Sequence, residues 1–439
     1  MRQIIFFVCF CVFFACKENP ANKHIAGDPE LNPGPAKVEI RFKDGKYILL
    51  VNKEPFYIKG AGLEFGDVSS LANHNGNSFR TWQTENGQKT AVEVLDEAQK
   101  NGLMVTMGID VGRERHGFDY NDESAVNAQL ERIRKEVLKL KDHPALLIWG
   151  IGNELNLNYK NPKVWDAVNE ISRMIHNLDP NHLTTTSLSG ISQKEINYII
   201  DRCPDIDILS IQMYGELPAV PDLIREYGWN GPYMITEWGA TGHWEVPKTE
   251  WGAPIEEHSS LKAANYLKRY KKGIEADTLQ CIGSYVFLWG NKQERTPTWY
   301  GIFLENGQET ESVDVMHYIW NGEWPDNRTP QIVSFTLDGK TAYDNVILQA
   351  DNSYNAEIKI VDFEDDAISY TWEVLHESTE TKEGGDYEER PAEVEGAIIS
   401  SKDGTVKIQV QEKGIYRLFV YADDGNNHSA TANIPFRVN

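Results

Sequence analysis

Two glutamates each close a short apolar run. Glu154 ends Ala145-Leu-Leu-Ile-Trp-Gly-Ile-Gly-Asn153-Glu154, and Glu237 ends Tyr233-Met-Ile-Thr-Glu237. Paired carboxyls suit glycosidic bond cleavage. One protonates the leaving oxygen and then serves as base, while the other attacks the anomeric carbon, the two lying about 5 to 5.5 Å apart in a retaining site. Continuous apolar runs of this kind read as strands buried on both faces of a parallel sheet. A (β/α)8 barrel carries its chemistry at the C-terminal ends of such strands. The glutamates are 83 residues apart, about three βα units of a barrel of ~250 residues, as expected of its fourth and seventh strands.

The elements that must position this pair follow from alternation. Eight β-like runs, Phe56–Ala61, Ser78–Thr81, Leu103–Ile109, Leu146–Trp149, Leu183–Ser187, Ile208–Ile211, Tyr233–Ile235 and Gly283–Leu288, alternate with helical patterns such as Ala125–Lys141, Pro162–Asn177 and Ser259–Glu275. Strands alternating with helices indicate βα units. Asp44-Gly45, set between Phe42 and Tyr47, marks a hairpin that would cap the barrel floor. Long insertions after the seventh and eighth strands, Ala240–Glu257 and Asn291–Val313, would shape a cleft. Past Trp324-Pro325 the pattern changes to short alternating strands, Ile332–Leu337, Ile368–Val374, Thr405–Gln411, Tyr416–Tyr421 and Ala432–Val438, with Asp-Gly turns. The reading is an α/β chain: a (β/α)8 TIM barrel with an N-terminal β-hairpin over 37–325, then an all-β immunoglobulin-like sandwich over 330–439. In that sandwich, Val333, Phe335 and Leu337, then Ile368, Tyr370 and Trp372, then Tyr416, Leu418 and Val420 would form one buried face. Phe419 and Tyr421 fall on the other face as a thin candidate platform for glycan, with a scaffold role the better reading.

The chain carries 12 Trp, 19 Tyr and 41% hydrophobic residues, ample for large cores, and a net charge of −23. That charge argues against nucleic acid, anionic lipid and anionic polysaccharide as partners, and favours a neutral glycan. Residues 1–15 read as a signal segment: Arg2, an apolar Ile4–Phe14 run too short to span a bilayer, then Ala15-Cys16. A small residue before cysteine resembles a bacterial lipobox, which implies lipidation of Cys16, a flexible tether over 16–36 and a membrane-anchored lipoprotein in the outer membrane of a Gram-negative bacterium. Membrane contact is expected through that anchor alone. Cys203 and Cys281 remain as a disulfide or two buried thiols. No cofactor is expected, no ligand spacing points to a metal, and Ser187 and Ser189 lack a nucleophile-elbow context.

Asn-Glu after the fourth strand and an isolated Glu after the seventh resemble the motifs of clan A retaining glycoside hydrolases, with a family 2-like barrel. The resemblance covers roughly residues 56 to 322. It implies Glu154 as acid/base and Glu237 as nucleophile. Asn153 is placed to hydrogen-bond a sugar 2-hydroxyl. Arg80, in Ser78-Phe-Arg-Thr-Trp82, matches the arginine beside the nucleophile, where a fixed cation would hold Glu237 ionised. Tyr214, in Ser210-Ile-Gln-Met-Tyr214, matches a tyrosine that contacts the nucleophile, and Trp289 matches a common sugar platform. Trp82, Trp238, Trp244, Trp251 and Trp299 fall on expected mouth loops, and Asp110 and His116 follow the third strand. As residue types alone, Arg80 also reads as a structural cation, Tyr214 as a buried hydroxyl and each Trp as core packing. Glu154 is expected protonated and Glu237 ionised at neutral pH, since the mechanism needs the two pKa values pushed apart. The whole layout is most similar to endo-β-1,3-glucanase lipoproteins of Bacteroidetes, which implies endo action on laminarin-type glucan. β-1,3-Glucanosyl transfer, β-mannan and β-galactoside chemistry stay open on the same barrel, as does a noncatalytic glycan-binding lipoprotein.

Overall fold

A computed structural model describes residues 34–85, 87–380 and 382–439. The signal segment, Cys16 and all but the last residues of the tether lie outside them. Three strands come first: β1 (Val38–Lys43), β2 (Lys46–Val51) and the two-residue β3 (Glu54–Pro55). β1 and β2 pair antiparallel across Asp44-Gly45, with Lys43 opposite Lys46. Val38 and Leu49 pack with Ile148, Ile208, Met234 and Ile282. Val38 N donates to Asn181 O and Tyr47 N to Leu279 O, both just upstream of barrel strands. The hairpin therefore plugs the floor.

Eight parallel strands close the barrel: β4 (Ile58–Gly62), β5 (Ser78–Arg80), β6 (Met104–Ile109), β7 (Leu146–Asn153), β8 (Leu183–Ser189), β9 (Ile208–Gln212), β10 (Tyr233–Glu237) and β11 (Cys281–Val286), with β11 pairing back to β4. These are the eight expected runs. Between and after them come α1 (Val68–Asn73), α2 (Ala91–Lys100), α3 (Glu123–Leu140), α4 (Lys163–Leu178), α5 (Gln193–Arg202), α6 (Val220–Glu226), α7 (Ser259–Tyr270) and α8 (Glu311–Asn321). Several start at caps written in the sequence. Thr90 and Glu93 form a capping box, and Asp122 and Ser192 accept the first free N–H groups of α3 and α5. The helix expected over Ser259–Glu275 changes to a π-turn at Lys271–Glu275. There Gly273 lies so close to the preceding segment that a Cβ would sit 2.6 Å from Leu217 O. Cys203 and Cys281 are both buried and free.

The C-terminal part holds two four-stranded sheets. One is ordered β12 (Gln331–Leu337), β14 (Ser353–Val361), β17 (Thr405–Gln409), β16 (Ile398–Lys402). The other is ordered β13 (Val346–Leu348), β19 (Ser429–Val438), β18 (Gly414–Asp423), β15 (Ser369–His376). Three strands, β13, β14 and β16, exceed the five expected. One buried-face assignment is corrected. β12 shifts register against β14 between Ile332 and Ser334, so Val333 is the extra residue of a bulge and is exposed, while Ile332 is buried in its place.

Phe419 and Tyr421 form no open platform. Phe419 is buried, and the Tyr421 hydroxyl donates to Glu373 Oε1 at 2.6 Å. Neighbouring side chains on β18 and β19 meet the barrel. Arg417 donates to Pro254 O (2.8 Å), Asn433 Oδ1 (2.7 Å) and both oxygens of Glu377 (3.0 and 2.7 Å). Asn433 Nδ2 donates to Glu256 Oε2 (2.6 Å), and Lys262 holds the other Glu256 oxygen at 2.5 Å. Removing one member of a buried ion pair strands the other charge, at a cost of about 3–5 kcal/mol. Arg417→Ala is accordingly expected to lose about that much in urea unfolding, and a loss under about 1 kcal/mol would mean the seam is solvated.

Candidate functional site

The two glutamates reach the mouth by local irregularities at strand ends. β7 pairs regularly with β8 to Gly150, then slips before Asn153 pairs with Ser187. Such a bulge re-aims the residues after it. Gly152 has φ +71°, and a Cβ there would lie 2.6 Å from the Leu155 side chain. Glu154 itself takes φ 51°, a left-handed conformation unusual for a non-glycine residue, and its N–H donates to Ser187 O at 3.0 Å. β10 likewise slips against β9 between Ile235 and Glu237.

Around Glu237 the structure gathers donors from two strands, β5 and β9, and the loops after them. Oε1 accepts from Arg80 Nη1 (3.1 Å), Trp82 Nε1 (2.9 Å) and Gln212 Nε2 (3.0 Å), while Oε2 accepts from the Tyr214 hydroxyl alone (3.2 Å). Three donors crowd one oxygen, which leaves the lone pairs of Oε2 as the available ones. Arg80 is buried and also donates to Thr236 O (3.0 Å) and Asn153 Oδ1 (2.7 Å), with its guanidinium 4.7 Å from the Trp82 ring centroid. Asn153 Oδ1 takes a second donor, Gln212 Nε2, at 2.6 Å. Under Arg80, the Tyr285 hydroxyl bonds Ser78 Oγ (2.9 Å) and Thr106 Oγ1 (2.6 Å).

Glu154 has the opposite surroundings. Burial raises its carboxyl, the negative charge of Glu237 raises it further, and the Ser189 hydroxyl, Arg115 and Arg80 pull less strongly the other way, leaving it at about 7. Burial lifts the Tyr214 hydroxyl well above its ordinary range, so it stays a phenol that donates to Glu237. His243, 2.9 Å from the Tyr300 hydroxyl, is pushed down to about 4, first by burial and then by Arg295.

A cleft of about 2180 Å³ surrounds the pair. Glu154, Glu237, Asn153, Tyr214 and Trp82 line it, with Arg80 immediately behind Glu237. Two expected contacts are corrected. Trp289 is among the residues lining the cleft, but it is only 1% exposed and packs against His74, Phe303 and Trp320 at ring distances of 5.1 to 5.5 Å, so most of its indole is covered by protein rather than open as a platform. Trp238 is 0% exposed and packs tilted against Tyr266 and Tyr270. Trp299 is buried too, its indole N–H donating to Thr241 O. Trp244, 57% exposed, and Trp251 do line the cleft. Asp110 stays outside its lining, and His116 turns to Asp386 of the sandwich at 3.2 Å.

Two contributors escaped sequence reading. Gln212 sits in the motif that contains Tyr214, and a polar residue closing an apolar strand was the signal. The second is the long segment between β15 and β16, which leaves the sandwich and crosses the barrel mouth. Its Thr379, Glu383, Gly384, Asp386, Tyr387 and Glu388 line the cleft. Asn158 donates to Glu383 (2.9 Å), Lys292 to Gly385 O (2.8 Å) and Arg295 N to Glu388 (2.6 Å). A long loop without secondary structure of its own is commonly functional, and that was its signal.

Glu154 affects stability with a definite sign. The folded state holds this proton more tightly than the unfolded chain does. Its contribution is full below about pH 4.5 and is lost as pH rises through about 7. Glu154→Gln, a permanent mimic of the protonated acid, is expected to melt about 2–5 °C above wild type at pH 8 and level with it at pH 4.5. Equal melting at both pH values would show that Glu154 titrates normally.

Residues 65–244, a span that includes Arg80, Trp82, Asn153, Glu154, Tyr214 and Glu237, match the model for glycosyl hydrolases family 2, TIM barrel domain. The β-galactosidase of Lactococcus lactis subsp. lactis (strain IL1403) is 26% identical over 147 residues, covering 30% of this chain and 14% of that one. Among solved structures, Bifidobacterium dentium β-glucuronidase complexed with coumarin-3-O-glucuronide is similar at TM-score 0.51 and 20% identity, over 66% of this chain and 50% of its own. Bacteroides uniformis β-glucuronidase is similar at TM-score 0.50 and 14% identity, over 92% of this chain and 48% of its own. At such identities the likeness is one of fold, and the chain spans about half the length of those structures. In sequence and fold, then, this barrel is similar to the TIM barrel domain of family 2 glycosyl hydrolases.

Proposed function

We propose that the chain is a retaining glycoside hydrolase that cuts a neutral β-linked polysaccharide, with endo action on β-1,3-glucan. The observation that carries the reading is the contrast between two carboxyls in one cleft. Glu237 is ringed by donors and offers Oε2, while Glu154 is desolvated and stays protonated to about pH 7. Oε2 attacks the anomeric carbon. As that bond forms, the bond to the leaving oxygen breaks and Glu154 delivers its proton there. Glu154, now a carboxylate, takes a proton from water. The water oxygen displaces Glu237, and configuration is retained. Asn153, its oxygen already used by Arg80 and Gln212, offers its Nδ2 to the sugar 2-hydroxyl.

Substrate class rests on size and charge. A small-ligand pocket holds about 300–1,000 Å³; a cleft of about 2180 Å³ suits several sugar rings and so a polymer. Carboxylates outnumber cations in its lining, and four of the five Lys and Arg side chains there have a carboxylate partner: Lys292 with Glu294, Arg115 with Asp386, Arg295 with Glu388 and Arg113 with Asp110. That environment supports a neutral sugar over a uronate. The β-1,3 linkage rests on the sequence resemblance, and the likeness to a β-galactosidase makes a galactan the second reading. Lipid attachment at Cys16, holding the enzyme at the outer membrane, belongs to the same proposal.

Soluble protein without the N-terminal segment is expected to release oligosaccharides from laminarin-type glucan, whereas Glu237→Ala releases none. Release from galactan or mannan instead would replace the linkage, and glycan binding without turnover on any β-glycan would make the chain a binding protein. Glu154→Gln should slow hydrolysis of the polymer about 10²–10⁴-fold, and wild-type kcat/KM should fall above about pH 7 as that proton is lost. Tyr387, 80% exposed on the sandwich loop that lines the cleft, gives a further check. Tyr387→Ala is expected to raise KM for polymer several-fold while sparing a one-sugar aryl glycoside. An equal effect on both would place Tyr387 outside the subsites.

A further inference from the structure

We propose that Glu309, Asp314 and His428 bind one divalent transition-metal ion of the zinc class, which pins the sandwich to the barrel beside the cleft. Glu309 lies in the insertion after β11, Asp314 in the first turn of α8 and His428 in the turn between β18 and β19. Sequence spacing could not reveal them, because the third ligand is more than a hundred residues from the others. Their ligand atoms lie within 4.8 Å of one another. His428 Nε2 stands 3.5 Å from Glu309 Oε2 and 3.7 Å from Asp314 Oδ1. Those separations are too long for good hydrogen bonds. They approach the roughly 3.3–3.4 Å edge of a tetrahedron whose metal–N and metal–O bonds are about 2.0–2.1 Å.

The burial of Asp314 is the independent observation. It is 0% exposed, and its Oδ1, aimed into the cluster, has no hydrogen-bond partner. A buried carboxylate oxygen without a partner is costly, and a cation would relieve it.

The surrounding groups orient the ligands as a metal's neighbours do. The other Asp314 oxygen accepts from Thr329 N at 2.8 Å. Glu309 Oε1 meets His74 Nε2 at 3.3 Å, and His74 Nδ1 meets His317 Nδ1 at 3.1 Å. A proton on His317 Nδ1 and another on His74 Nε2 satisfy this chain and leave Glu309 Oε2 for the metal. His428 Nδ1 faces Asn426 O at 3.0 Å and the Asn327 amide nitrogen at 2.9 Å. The metal-bound state needs the tautomer in which Nδ1–H donates to Asn426 O and Nε2 carries the lone pair, with the Asn327 amide, held by Asp424 at 2.7 Å, shifting away from the ring. One imidazole with two carboxylates selects a transition ion over Ca²⁺ or Mg²⁺, which prefer all-oxygen sets. The backbone already joins the two parts here, since Glu309 N donates to Asn427 O (2.9 Å) and Ser429 N to Glu309 O (2.8 Å).

Untagged, EDTA-treated protein titrated calorimetrically with ZnCl₂ tests this. One equivalent is expected to bind at micromolar Kd or tighter, with a rise in Tm, and CaCl₂ should produce neither. Co²⁺ should give visible d–d absorption of the strength typical of four-coordination. Glu309→Gln and Asp314→Asn, which keep shape, should each weaken Zn²⁺ binding at least tenfold, and Asp314→Asn, which lies outside the cleft lining, should do so with glycosidase turnover at saturating substrate unchanged. No binding below millimolar Zn²⁺, or one-equivalent binding that survives both substitutions, would overturn the proposal.

Discussion

A buried guanidinium sets the terms for the barrel mouth. Arg80 is 3% exposed, and a cation taken out of water needs an anion and enough acceptors to replace its hydration. Burial pulls its pKa down, with the charges of Glu237 and Glu154 opposing that effect. Its partners come from separate strands: Thr236 and Glu237 on β10, Asn153 on β7. Arg80 therefore fixes the mutual position of the residues beside both carboxyls. Lysine could not substitute, because the three contacts use the planar fork of two nitrogens and the Trp82 ring lies against the same plane. Gln212 closes the arrangement by donating to Asn153 and Glu237 together.

The sandwich depends on the barrel in a related way. Its seam is a polar network rather than an oily face, centred on Arg417, Glu377, Asn433, Glu256 and Lys262. Directional bonds of this kind fix orientation more sharply than apolar contact does. Orientation matters here because Glu377 begins the loop that crosses the cleft. The seam thus sets both the attachment of the sandwich and the place of its loop among the groups a glycan would meet.

Much of this was legible in the chain. Six of the eight barrel strands appear as mainly apolar runs, because a strand buried on both faces has no polar side to interrupt it, while β5 (Ser-Phe-Arg) and β8 (Leu-Thr-Thr-Thr-Ser-Leu-Ser) are legible only by their place in the alternation with helices. The glutamate pair and Arg80 were legible because positions at strand ends are tied to element boundaries. What failed depended on side-chain direction. Trp238 lies where expected in the chain, yet its indole is fully buried against Tyr266 and Tyr270, and Trp289, though in the cleft lining, is almost wholly covered; no local pattern states which way a residue past a strand end will face. Val333 failed because a bulge changes the period-two count. Phe419 was read as exposed because a sandwich considered alone has two solvent faces, whereas this one has a barrel against it. The strands β13, β14 and β16 were missed for want of apolar length; β14, for instance, alternates Glu357 and Lys359 with Ala356 and Ile358.

The same residue type thus acquires two characters from its surroundings. Both glutamates end strands of one barrel, and both follow a slip in strand register. They differ in what the neighbouring strands bring. The adjacent β9 ends in Gln212 and β5, across the barrel mouth, ends in Arg80, so Glu237 receives donors from both, whereas the strand after β7 brings only the Ser187 carbonyl and a serine hydroxyl to Glu154. A carboxyl with few donors and an anion nearby keeps its proton, and keeping it to about pH 7 costs the fold stability that a solvated glutamate would not. Under the proposed mechanism that proton is the one delivered to the leaving oxygen, and the donors around Glu237 keep the second carboxylate free to form the new bond.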